Sequence, residues 1–536
     1  MARRPLVGGV GAGRRRPLAP AATAAAALLV LLLCATPPPA LAQHRGPRVL
    51  VLFDDAAAGR ETHARFLGAL AASGYQADVR SADDPALALR DGLFGWRYDH
   101  VALLAPRAAA LGGDGVARRA AAASARKDKA HEAEPPAPSL DDLAAMVEEG
   151  AGNVLLALSP DSPDALRALA LELGVEMDAR GARVHDHFSR PEGLGDGKGE
   201  EEEEGPAVLA RDAVASAAIL GAVGLGGAPV IYRGGAAVVP ASSSGTATVV
   251  LSASPTAYTH VAGAGPPGAS SSAASLPDPA ACPNGGAAAL AVAVRARNNA
   301  RVAVVGSLYA LSDAAISAKG FVDASTGEAV GRTANAEFAA GLARWAFADR
   351  GVLLLERARH RILPGGSTGS EDEGADLRNA PELLRINDEV EFSVDVWELE
   401  GGGSGGRGKA AGTRSPYVPP PAAASRDASA APVQLSFTML DPHVRLALAP
   451  ADPSAPNGTL SLRFRAPDVY GVFKFTLDHA RAGYSRLELS AEAPVRPYRH
   501  DEYERFLAPA YPYYASALSA TAAVFMVVVV VLYSKE

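Results

Sequence analysis

Two adjacent carboxylates stand where an α/β sheet would bind a ligand. Asp54 and Asp55 directly follow residues 49–53, a short, wholly apolar run that is typical of a buried parallel strand. In open α/β sheets, ligands bind in the crevice beyond the carboxyl ends of the strands. A hydrolase or transferase could use such a carboxylate. A polar loop that caps the following helix explains the same residues, and both interpretations stay open at this point.

A second polar group has the composition of a metal site. His185-Asp186-His187 would place two imidazoles on one face of a strand, but no third ligand follows at a defined spacing. The acidic residues 200–204 could attract Ca²⁺ or a basic partner, although a solvated loop is the simpler interpretation. The segment Ala82-Asp83-Asp84-Pro85 contains an Asp-Pro pair, which is typical of a turn. We therefore predict neither a metal nor a cofactor.

The motifs of common catalytic folds do not follow the predicted strands. No phosphate-binding glycine loop does so, and no Gly-x-Ser-x-Gly elbow joins a strand to a helix, although Gly306-Ser307 occupies such a turn. Cys282 is the only cysteine after residue 42, which excludes a Cys-x-x-Cys redox pair. The net charge of −8, from 51 basic and 59 acidic side chains, offers no footprint for nucleic acid. These observations do not identify an enzyme.

A sheet must position these residues, and the chain alternates strands with helices from residue 48. Buried strands are predicted at residues 49–53, 101–105, 154–158 and 302–305. Helices are predicted from about Thr62 to Gly74, from a capping box at Ser139 to Gly150, from Ser162-Pro163 to Gly174, and around residues 338–347. This alternation is typical of a doubly wound α/β region, which we assign to residues 43–358.

Beyond residue 382 the pattern is one of strands alone. In residues 390–396 apolar side chains alternate with polar ones, so one face is buried and the other is wet. Similar runs follow, and together they predict a β-sandwich over residues 382–500. Four segments rich in Ala, Gly, Ser, Pro or Glu are predicted to be flexible surface insertions: residues 116–138, 190–206, 264–280 and 401–432.

The two ends predict a membrane topology. Arginines, an apolar run and the small residues Ala40-Leu41-Ala42 are typical of a signal peptide, which we assign to residues 1–42. A tyrosine-rich juxtamembrane segment, residues 501–514, precedes residues 515–533, which are uncharged and long enough to cross a bilayer. We expect a single-pass type I protein with a cytosolic tail of residues 534–536. Its only glycosylation sequon begins at Asn457.

Small residues recur at a spacing of four in the N-terminal half of the predicted span. Ser516, Ser519, Ala520 and Ala523 would form a face that lets another helix approach closely. Chance placement in an alanine-rich chain is the alternative. With a large body outside the cytosol, this face favours a subunit of a membrane complex.

Landmarks along nearly the whole chain resemble one family. They are Arg60-Glu61-Thr62-His63, Ala82-Asp83-Asp84-Pro85, residues 295–302, Gly306-Ser307-Leu308, Arg344-Trp345, Asp441-Pro442-His443-Val444-Arg445, residues 467–473, Gly483-Tyr484, Val495-Arg496-Pro497, Tyr503-Glu504-Arg505-Phe506 and residues 511–517. The chain resembles the 48-kDa subunits of the eukaryotic oligosaccharyltransferase, whose fungal form is the wheat-germ-agglutinin-binding protein subunit.

The resemblance implies an accessory, non-catalytic subunit of the endoplasmic reticulum membrane. The complex transfers a preassembled glycan from dolichyl diphosphate to Asn in Asn-x-Ser/Thr sequons. The active site would lie on a multi-spanning catalytic subunit, and the other expected partners are a ribophorin II-type subunit and the defender-against-cell-death subunit. A flavodoxin-like N-terminal region is also implied. The resemblance carries over no catalytic residue.

The chain departs from the family in two respects. Its low-complexity insertions are longer, and only Lys535 remains of the lysine-rich tail of some relatives. Retention in the endoplasmic reticulum would then depend on assembly with partners. A stand-alone luminal glycan-binding membrane protein is the alternative from another class, and an enzyme that uses Asp54 or Asp55 is a further one.

Overall fold

The structure is a computed structural model that describes residues 46–91, 95–113, 138–193, 206–213, 217–221, 225, 227–236, 238–240, 246–261, 288–363, 375–376, 383–400, 413–419, 432–451, 458–503 and 508–534. The predicted signal peptide, residues 200–204, Cys282, Asn457 and most of the four predicted insertions lie outside these residues.

A seven-stranded sheet organises the first part of the chain. Its strands are β1 (Arg48–Phe53), β2 (Gln76–Ser81), β3 (His100–Leu104), β4 (Asn153–Ala157), β5 (Ala247–Ser252), β6 (Ala289–Arg295) and β7 (Arg301–Val305). They lie in the order β5-β6-β7-β4-β3-β1-β2. Five of them, β2, β1, β3, β4 and β7, are parallel, whereas β6 runs antiparallel to β5 and β7. The four strands predicted from apolar runs are confirmed as β1, β3, β4 and β7.

Both faces of this sheet are buried. Val49, Val51 and Phe53 point into one hydrophobic core, and Leu50 and Leu52 point into a second core on the opposite face. Alternate side chains of a strand point to opposite faces, so a strand covered on both sides must be apolar throughout. This explains why the strands lack polar positions.

Helices cover the two faces. On the first lie α1 (Ala56–Thr62), α2 (Ala64–Ala72) and α5 (Asn335–Ala346), and on the second lie α3 (Asp141–Glu148) and α4 (Asp164–Glu172). The buried helix residues include Phe66, Leu70, Phe338 and Leu342 in the first core, and Leu143, Met146, Leu166 and Leu169 in the second. The helix predicted at residues 338–347 is confirmed as α5.

The first turns of the helices differ in how well they match the predicted N-caps. The capping box is present, because the Ser139 amide donates to the Asp142 carboxylate at 2.8 Å and the Asp142 amide donates to the Ser139 hydroxyl at 3.1 Å. The prediction for Ser162 is wrong: its hydroxyl accepts from the Ser159 amide and donates to the Pro106 carbonyl, and no side chain caps α4. The helix predicted from Thr62 begins earlier, at Ala56, and is interrupted at His63.

Short elements surround the main sheet. The strands are Arg90–Asp91, Gly95–Trp96, Val175–Met177, Ala182–His185, Pro191–Glu192, Ala207–Ala210, Val230–Arg233, Val238–Pro240, Tyr258–Val261, Phe321–Asp323 and Ala329–Val330. The short helices are Ala217–Leu220, Tyr309–Leu311 and Asp313–Ser317.

Two sheets form the second part of the described chain. One contains β8 (Val352–Leu363), β9 (Glu389–Glu400) and β12 (Thr459–Arg465), with Ala375–Asp376, Thr413–Pro416 and Ala449–Pro450 at its margins. The other contains Leu384–Arg385, β10 (Gln434–Thr438), β11 (Pro442–Ala447), β13 (Gly471–His479) and β14 (Leu487–Arg496). Because β8 pairs with β9, it belongs to this part although it crosses residue 358.

The two sheets share one hydrophobic core. Val390, Phe392, Val394 and Val396 of β9 are fully buried, as the alternation in this segment predicts. The ring of Phe392 lies 5.3 Å from that of Phe475 on β13, in the other sheet. Aromatic contacts of this kind add to the free energy gained by burial.

The chain ends in a long apolar helix, α6 (Tyr511–Tyr533). The segment Ala508–Tyr533 is the one candidate membrane span found among the described residues, on length and composition. The side chains of α6 are exposed to the surroundings along its length. The predicted span of residues 515–533 lies within this helix, which also includes Tyr511 to Tyr514.

Candidate functional site

A cavity of about 450 Å³ opens at the carboxyl ends of the parallel strands. Its lining includes Pro106 and Arg107 after β3, Leu158 and Ser159 after β4, and Ser307 and Leu308 after β7. This is the edge at which open α/β sheets bind ligands. We call it the carboxyl-edge cavity.

Elements outside the main sheet complete its walls. Arg183 comes from the strand Ala182–His185, and Arg233 from the strand Val230–Arg233. His63 lies at the break between α1 and α2, and Tyr309 and Asp313 lie in the short helices that follow β7. Segments far apart in the sequence therefore converge on one space.

Gly306 and Ser307 hold the turn after β7 close to its neighbours. A Cβ atom at Gly306 would lie 2.1 Å from the carbonyl oxygen of Ala236 and 2.4 Å from the hydroxyl of Tyr232. The hydroxyl of Ser307 donates to the carbonyl of Arg233 at 2.6 Å. This turn resembles a nucleophile position in sequence, but here the serine hydroxyl bonds the backbone at the cavity wall.

The cavity carries charges of both signs. A guanidinium nitrogen of Arg183 lies 3.4 Å from a carboxylate oxygen of Asp161, and the guanidinium of Arg233 lies 5.5 Å from the ring centre of Tyr309. Asp313 accepts a hydrogen bond from the Arg65 amide at 2.9 Å. The arrangement offers both hydrogen-bond donors and acceptors to a ligand.

His63 is the most buried ionisable group of the cavity, with 4% of its surface exposed. Its Nδ1 lies 2.8 Å from the hydroxyl of Thr62, while its Nε2 makes no hydrogen bond of good geometry among the described residues. Burial lowers the pKa of His63, because the charged imidazolium loses hydration. The neutral ring can donate through one nitrogen and accept through the other.

Asp54 and Asp55 lie at the predicted edge, but neither lines the cavity. Asp55 caps α1 by accepting from the Ala57 amide at 2.8 Å. Asp54 accepts from the Arg107 amide at 3.3 Å, so it contacts the cavity only through a lining residue. Burial raises the pKa of Asp54, and the amide and the charge of Arg107 oppose the shift.

The two histidines His185 and His187 contact Tyr258, whereas Asp186 accepts hydrogen bonds from other residues. The ring of His185 stacks on Tyr258 at 5.7 Å, and His187 Nε2 lies 2.8 Å from the Tyr258 hydroxyl. Asp186 accepts from the amides of Phe188 and Ser189. Burial, followed by the charge of His260, lowers the pKa of His185. No cluster of three or more metal-binding side chains was found in the described part of the chain.

The small-residue face lies within α6. The hydroxyl of Ser516 donates to the Tyr513 carbonyl at 2.9 Å, and that of Ser519 donates to the Ser516 carbonyl at 2.9 Å. Ala520 and Ala523 follow on the same face, one turn further on. Because the hydroxyls bond within the helix, the face is compact and nonpolar.

The main cavity residues were not predicted from the sequence. The strand-end rule, applied to β3, β4 and β7 as well as β1, would have found Arg107, Ser159 and Ser307. No sequence signal identifies Arg183 or Arg233, because their strands lie outside the main sheet. Their position depends on pairings between distant segments.

Two family models match this chain. One, described as the OST48 N-terminal domain, covers residues 134–349, and the other, described as the OST48 middle domain, covers residues 370–535. The chain belongs to the OST48 family. The match to the N-terminal domain includes the cavity residues Arg183, Arg233 and Ser307. Two other cavity residues, His63 and Arg107, precede it.

Three OST48 relatives align with the chain over nearly its whole length. The relative from Arabidopsis thaliana is 32% identical over 495 residues, which cover 91% of this chain and 93% of the relative. The Caenorhabditis elegans relative is 31% identical over 92% of this chain and 93% of its own length, and the Danio rerio relative is 30% identical over 91% and 92%. Each is named dolichyl-diphosphooligosaccharide–protein glycosyltransferase 48 kDa subunit. The family resemblance predicted from the sequence landmarks is confirmed.

Proposed function

We propose that this chain is a non-catalytic subunit of an oligosaccharyltransferase complex. The complex would transfer a preassembled glycan from dolichyl diphosphate to Asn of Asn-x-Ser/Thr sequons, and this subunit would support its assembly and full activity. One observation carries the proposal: relatives named as the 48 kDa subunit match more than 90% of the chain. A match of that extent covers both the α/β region and the β region, not one shared module.

The environment of the carboxylates supports a non-catalytic role. Asp55 is engaged as a helix cap, and Asp54 accepts a hydrogen bond from the backbone of Arg107. A catalytic carboxylate must instead reach a reacting atom of the substrate. The family resemblance implies that the active site of the complex would lie on another, multi-spanning subunit, with ribophorin II-type and defender-against-cell-death subunits as further partners.

Two segments of the chain support the proposed membrane topology. A signal peptide over residues 1–42 and the apolar helix α6 support a single-pass type I protein of the endoplasmic reticulum membrane with a luminal body. Retention in the endoplasmic reticulum would depend on assembly with the other subunits. A reporter that carries only α6 and the tail should then leave the endoplasmic reticulum when the other subunits are absent, and its retention would contradict this.

We also infer the finer fold classes. The parallel strands in spatial order β2-β1-β3-β4-β7 follow the 2-1-3-4-5 order of flavodoxin-like sheets, which supports that assignment for the first region. The shared core of the two later sheets supports a β-sandwich.

The test is purification of the whole chain from microsomes in mild detergent through a tag inserted after Gln43. The proposal expects that a multi-spanning partner co-purifies and that the eluate transfers glycan to an Asn-x-Thr peptide. Mock purification from cells with the untagged chain is the control. A stable monomer without transfer activity that reaches the cell surface would instead favour the stand-alone glycan-binding protein.

A further inference from the structure

We propose that the carboxyl-edge cavity binds a neutral, polyhydroxylated ligand, which is the chemistry of a sugar unit. The assignment rests on the proposed function, in which the complex handles a glycan, and it adds a binding site for that glycan on this subunit.

The charges distinguish a sugar from an anion. Arg107, Arg183 and Arg233 offer guanidinium donors, and Asp161 and Asp313 offer carboxylate acceptors. Each sugar hydroxyl donates one hydrogen bond and accepts others, so it can use both kinds of group. A phosphate or carboxylate would face three guanidinium groups but also two carboxylates, one of which already pairs with Arg183 at 3.4 Å, so little positive charge is left for an anion. The mixed set therefore fits a neutral ligand.

The shape of the cavity agrees with this ligand class. Its volume of about 450 Å³ is within the usual range of small-molecule sites. Pro106, Leu158 and Leu308 supply apolar surface beside the polar groups, and Tyr309 adds an aromatic ring. The C–H faces of a sugar ring can pack on such surfaces while its hydroxyls bond the charged side chains.

His63 adds an unsatisfied group to the lining. Its buried Nε2 makes no hydrogen bond of good geometry among the residues that the structure describes, while the backbone of Leu308 interacts with the ring. A buried polar atom without a partner costs free energy, and a ligand hydroxyl can recover that cost. The imidazole can donate a hydrogen bond to a ligand hydroxyl or accept one from it.

The experiment is photo-crosslinking on the purified complex with a neutral trisaccharide that carries a diazirine, followed by peptide mapping. A phosphorylated probe of the same size tests for an anion site. The test variant is Asp161→Asn, and the control is Asp164→Asn, which removes a more exposed carboxylate three residues away that does not line the cavity. Glycan transfer and co-purification are recorded on the same samples.

The proposal expects the neutral probe to label peptides that contain Arg107 and residues 307–313. Labelling should fall about tenfold in Asp161→Asn, because the ligand then bonds a neutral amide oxygen instead of a charged carboxylate, and should be unchanged in Asp164→Asn. No label at these peptides, equal labelling in both variants, or stronger labelling by the phosphorylated probe would overturn it. If transfer activity and partners persist in that case, the cavity assignment alone fails; loss of both from the wild-type sample would reject the proposed function.

The β region carries an exposed apolar surface. Five exposed apolar residues, Met439, Leu440, Val469, Tyr470 and Val472, form what we call the apolar tip. Leu440 is 93% exposed and Tyr470 is 68% exposed. A Cβ at Gly471 would lie 2.8 Å from the Met439 sulfur, so the β10–β11 turn contacts the start of β13.

Strand register places the apolar tip near the membrane anchor. Gly471 pairs with Val495, so the start of β13 lies beside the end of β14, from which the chain continues to α6. Arg496 holds Glu502 through two contacts of 2.6 Å, which folds the connection back to the end of the strand. Only six residue steps then separate Glu502 from Ala508, at most about 20 Å of chain.

We infer that the apolar tip enters the headgroup layer of the bilayer that α6 spans. Each headgroup layer is about 5–8 Å thick, and it suits residues such as tyrosine that have one apolar and one polar side. A projecting, highly exposed turn fits a fluid layer, and the short connection holds it close to the membrane surface.

The test uses nitroxide labels on the full chain within the complex, reconstituted in a lipid bilayer. Cys282→Ser removes the native thiol, and Leu440→Cys carries the label. The matched control is Val418→Cys, which is 54% exposed and follows Tyr417, whose hydroxyl lies 3.1 Å from His479 at the opposite end of β13. Accessibility to oxygen and to a water-soluble nickel complex reports the depth of each label.

The inference expects the label at position 440 to favour oxygen over nickel by about an order of magnitude relative to position 418, because oxygen partitions into the apolar layer. Equal ratios at the two positions would overturn it. Protection of position 440 from both reagents would also overturn it, and would indicate a protein partner at the apolar tip.

Discussion

At the residue scale, one buried arginine joins the main sheet to a covering helix and to the start of the β region. Arg301 at the start of β7 is 1% exposed and donates to the carbonyls of Trp345 at 3.0 Å and Gly351 at 2.7 Å. Its guanidinium also lies 5.0 Å from the Trp345 ring centre. Burial lowers the pKa of Arg301, while carbonyl acceptors compensate for part of its lost hydration. One cation thus ties β7 to the end of α5 and to the junction with the β region.

His100 should make stability depend on pH. It is fully buried, its ring stacks 5.0 Å from Phe347, and burial lowers its pKa to about 3. The folded pKa is below the unfolded value near 6.5, so the unfolded state binds more protons and stability falls as pH drops below 6.5. We expect His100→Gln, which can still accept from Asn153, to reduce the slope by up to about 1.4 kcal/mol per pH unit between pH 6 and pH 4.

Denaturant unfolding of the full chain in detergent at several pH values measures this slope. The matched control is the same substitution at an exposed histidine, His500→Gln. A His100→Gln slope equal to that of the wild type would show that other groups control the acid transition.

At the element scale, two glycines in neighbouring helices should respond in opposite directions to the same change. A Cβ at Gly59 in α1 would lie 2.3 Å from the Phe53 ring, whereas a Cβ at Gly68 in α2 would meet nothing within 4 Å. We expect Gly59→Ala to destabilise the fold by about 1–3 kcal/mol through overpacking. Gly68→Ala should stabilise it by about 0.5–1 kcal/mol, because the unfolded chain loses freedom.

Thermal or denaturant unfolding of both variants distinguishes these effects. Equal changes in the two variants would mean that α1 does not pack against β1 through Gly59. Both substitutions replace a helical glycine with alanine, so the two variants differ only in the space available to the added Cβ.

The small-residue face of α6 predicts a second pair of opposite results. Ala520 lies on the face with Ser516, whereas Thr521 lies about 100° or more around the helix from every residue of that face. Ala520→Leu should keep a neighbouring helix away and lower recovery of partner subunits severalfold, while Thr521→Leu should not. Quantitative mass spectrometry of the tagged complex measures the recovery. Equal recovery from both variants would refute a packing role for this face.

At the scale of the whole molecule, hydrogen bonds join the α/β and β regions. The Trp345 indole donates to the Gly483 carbonyl at 2.7 Å, and the Asn299 side chain exchanges hydrogen bonds with the backbone of Arg486. Arg295 adds a bond to the Tyr484 carbonyl. These contacts meet the turn between β13 and β14, at the end of those strands opposite the apolar tip. The carboxyl-edge cavity belongs to the region that this turn contacts.

These contacts should couple the unfolding of the two regions. Trp345→Phe with Asn299→Gly removes three hydrogen bonds, and the glycine keeps the positive φ of 67° at position 299. We expect a loss of about 2–4 kcal/mol and a single calorimetric transition that separates into two. Trp96→Phe is the control, because it removes an indole bond to Glu149 within the α/β region. An unsplit transition in the double variant would contradict coupling through this interface.

The sequence alone determined those features that depend on neighbouring residues. The apolar run at residues 49–53 predicts a doubly buried strand because every side chain must be apolar there, and β1 agrees. The Ser139–Asp142 capping box and the alternation in residues 390–396 are equally local, and both are present. The uncharged C-terminal segment predicts a span from length and composition alone.

Only the tertiary structure decided which distant residues meet. Ser162 could cap α4 by its position in the sequence, but the Pro106 carbonyl lies within its reach and its hydroxyl bonds there. The strand β8 (Val352–Leu363) pairs with β9 and therefore belongs to the β region. The sequence pattern of strands without helices begins only after residue 382. One cavity is lined by Arg107, Arg183 and Arg233 because three separately paired strands begin or end near it. Such pairings gain their free energy from long-range contacts, and a local pattern does not record which segments will make them.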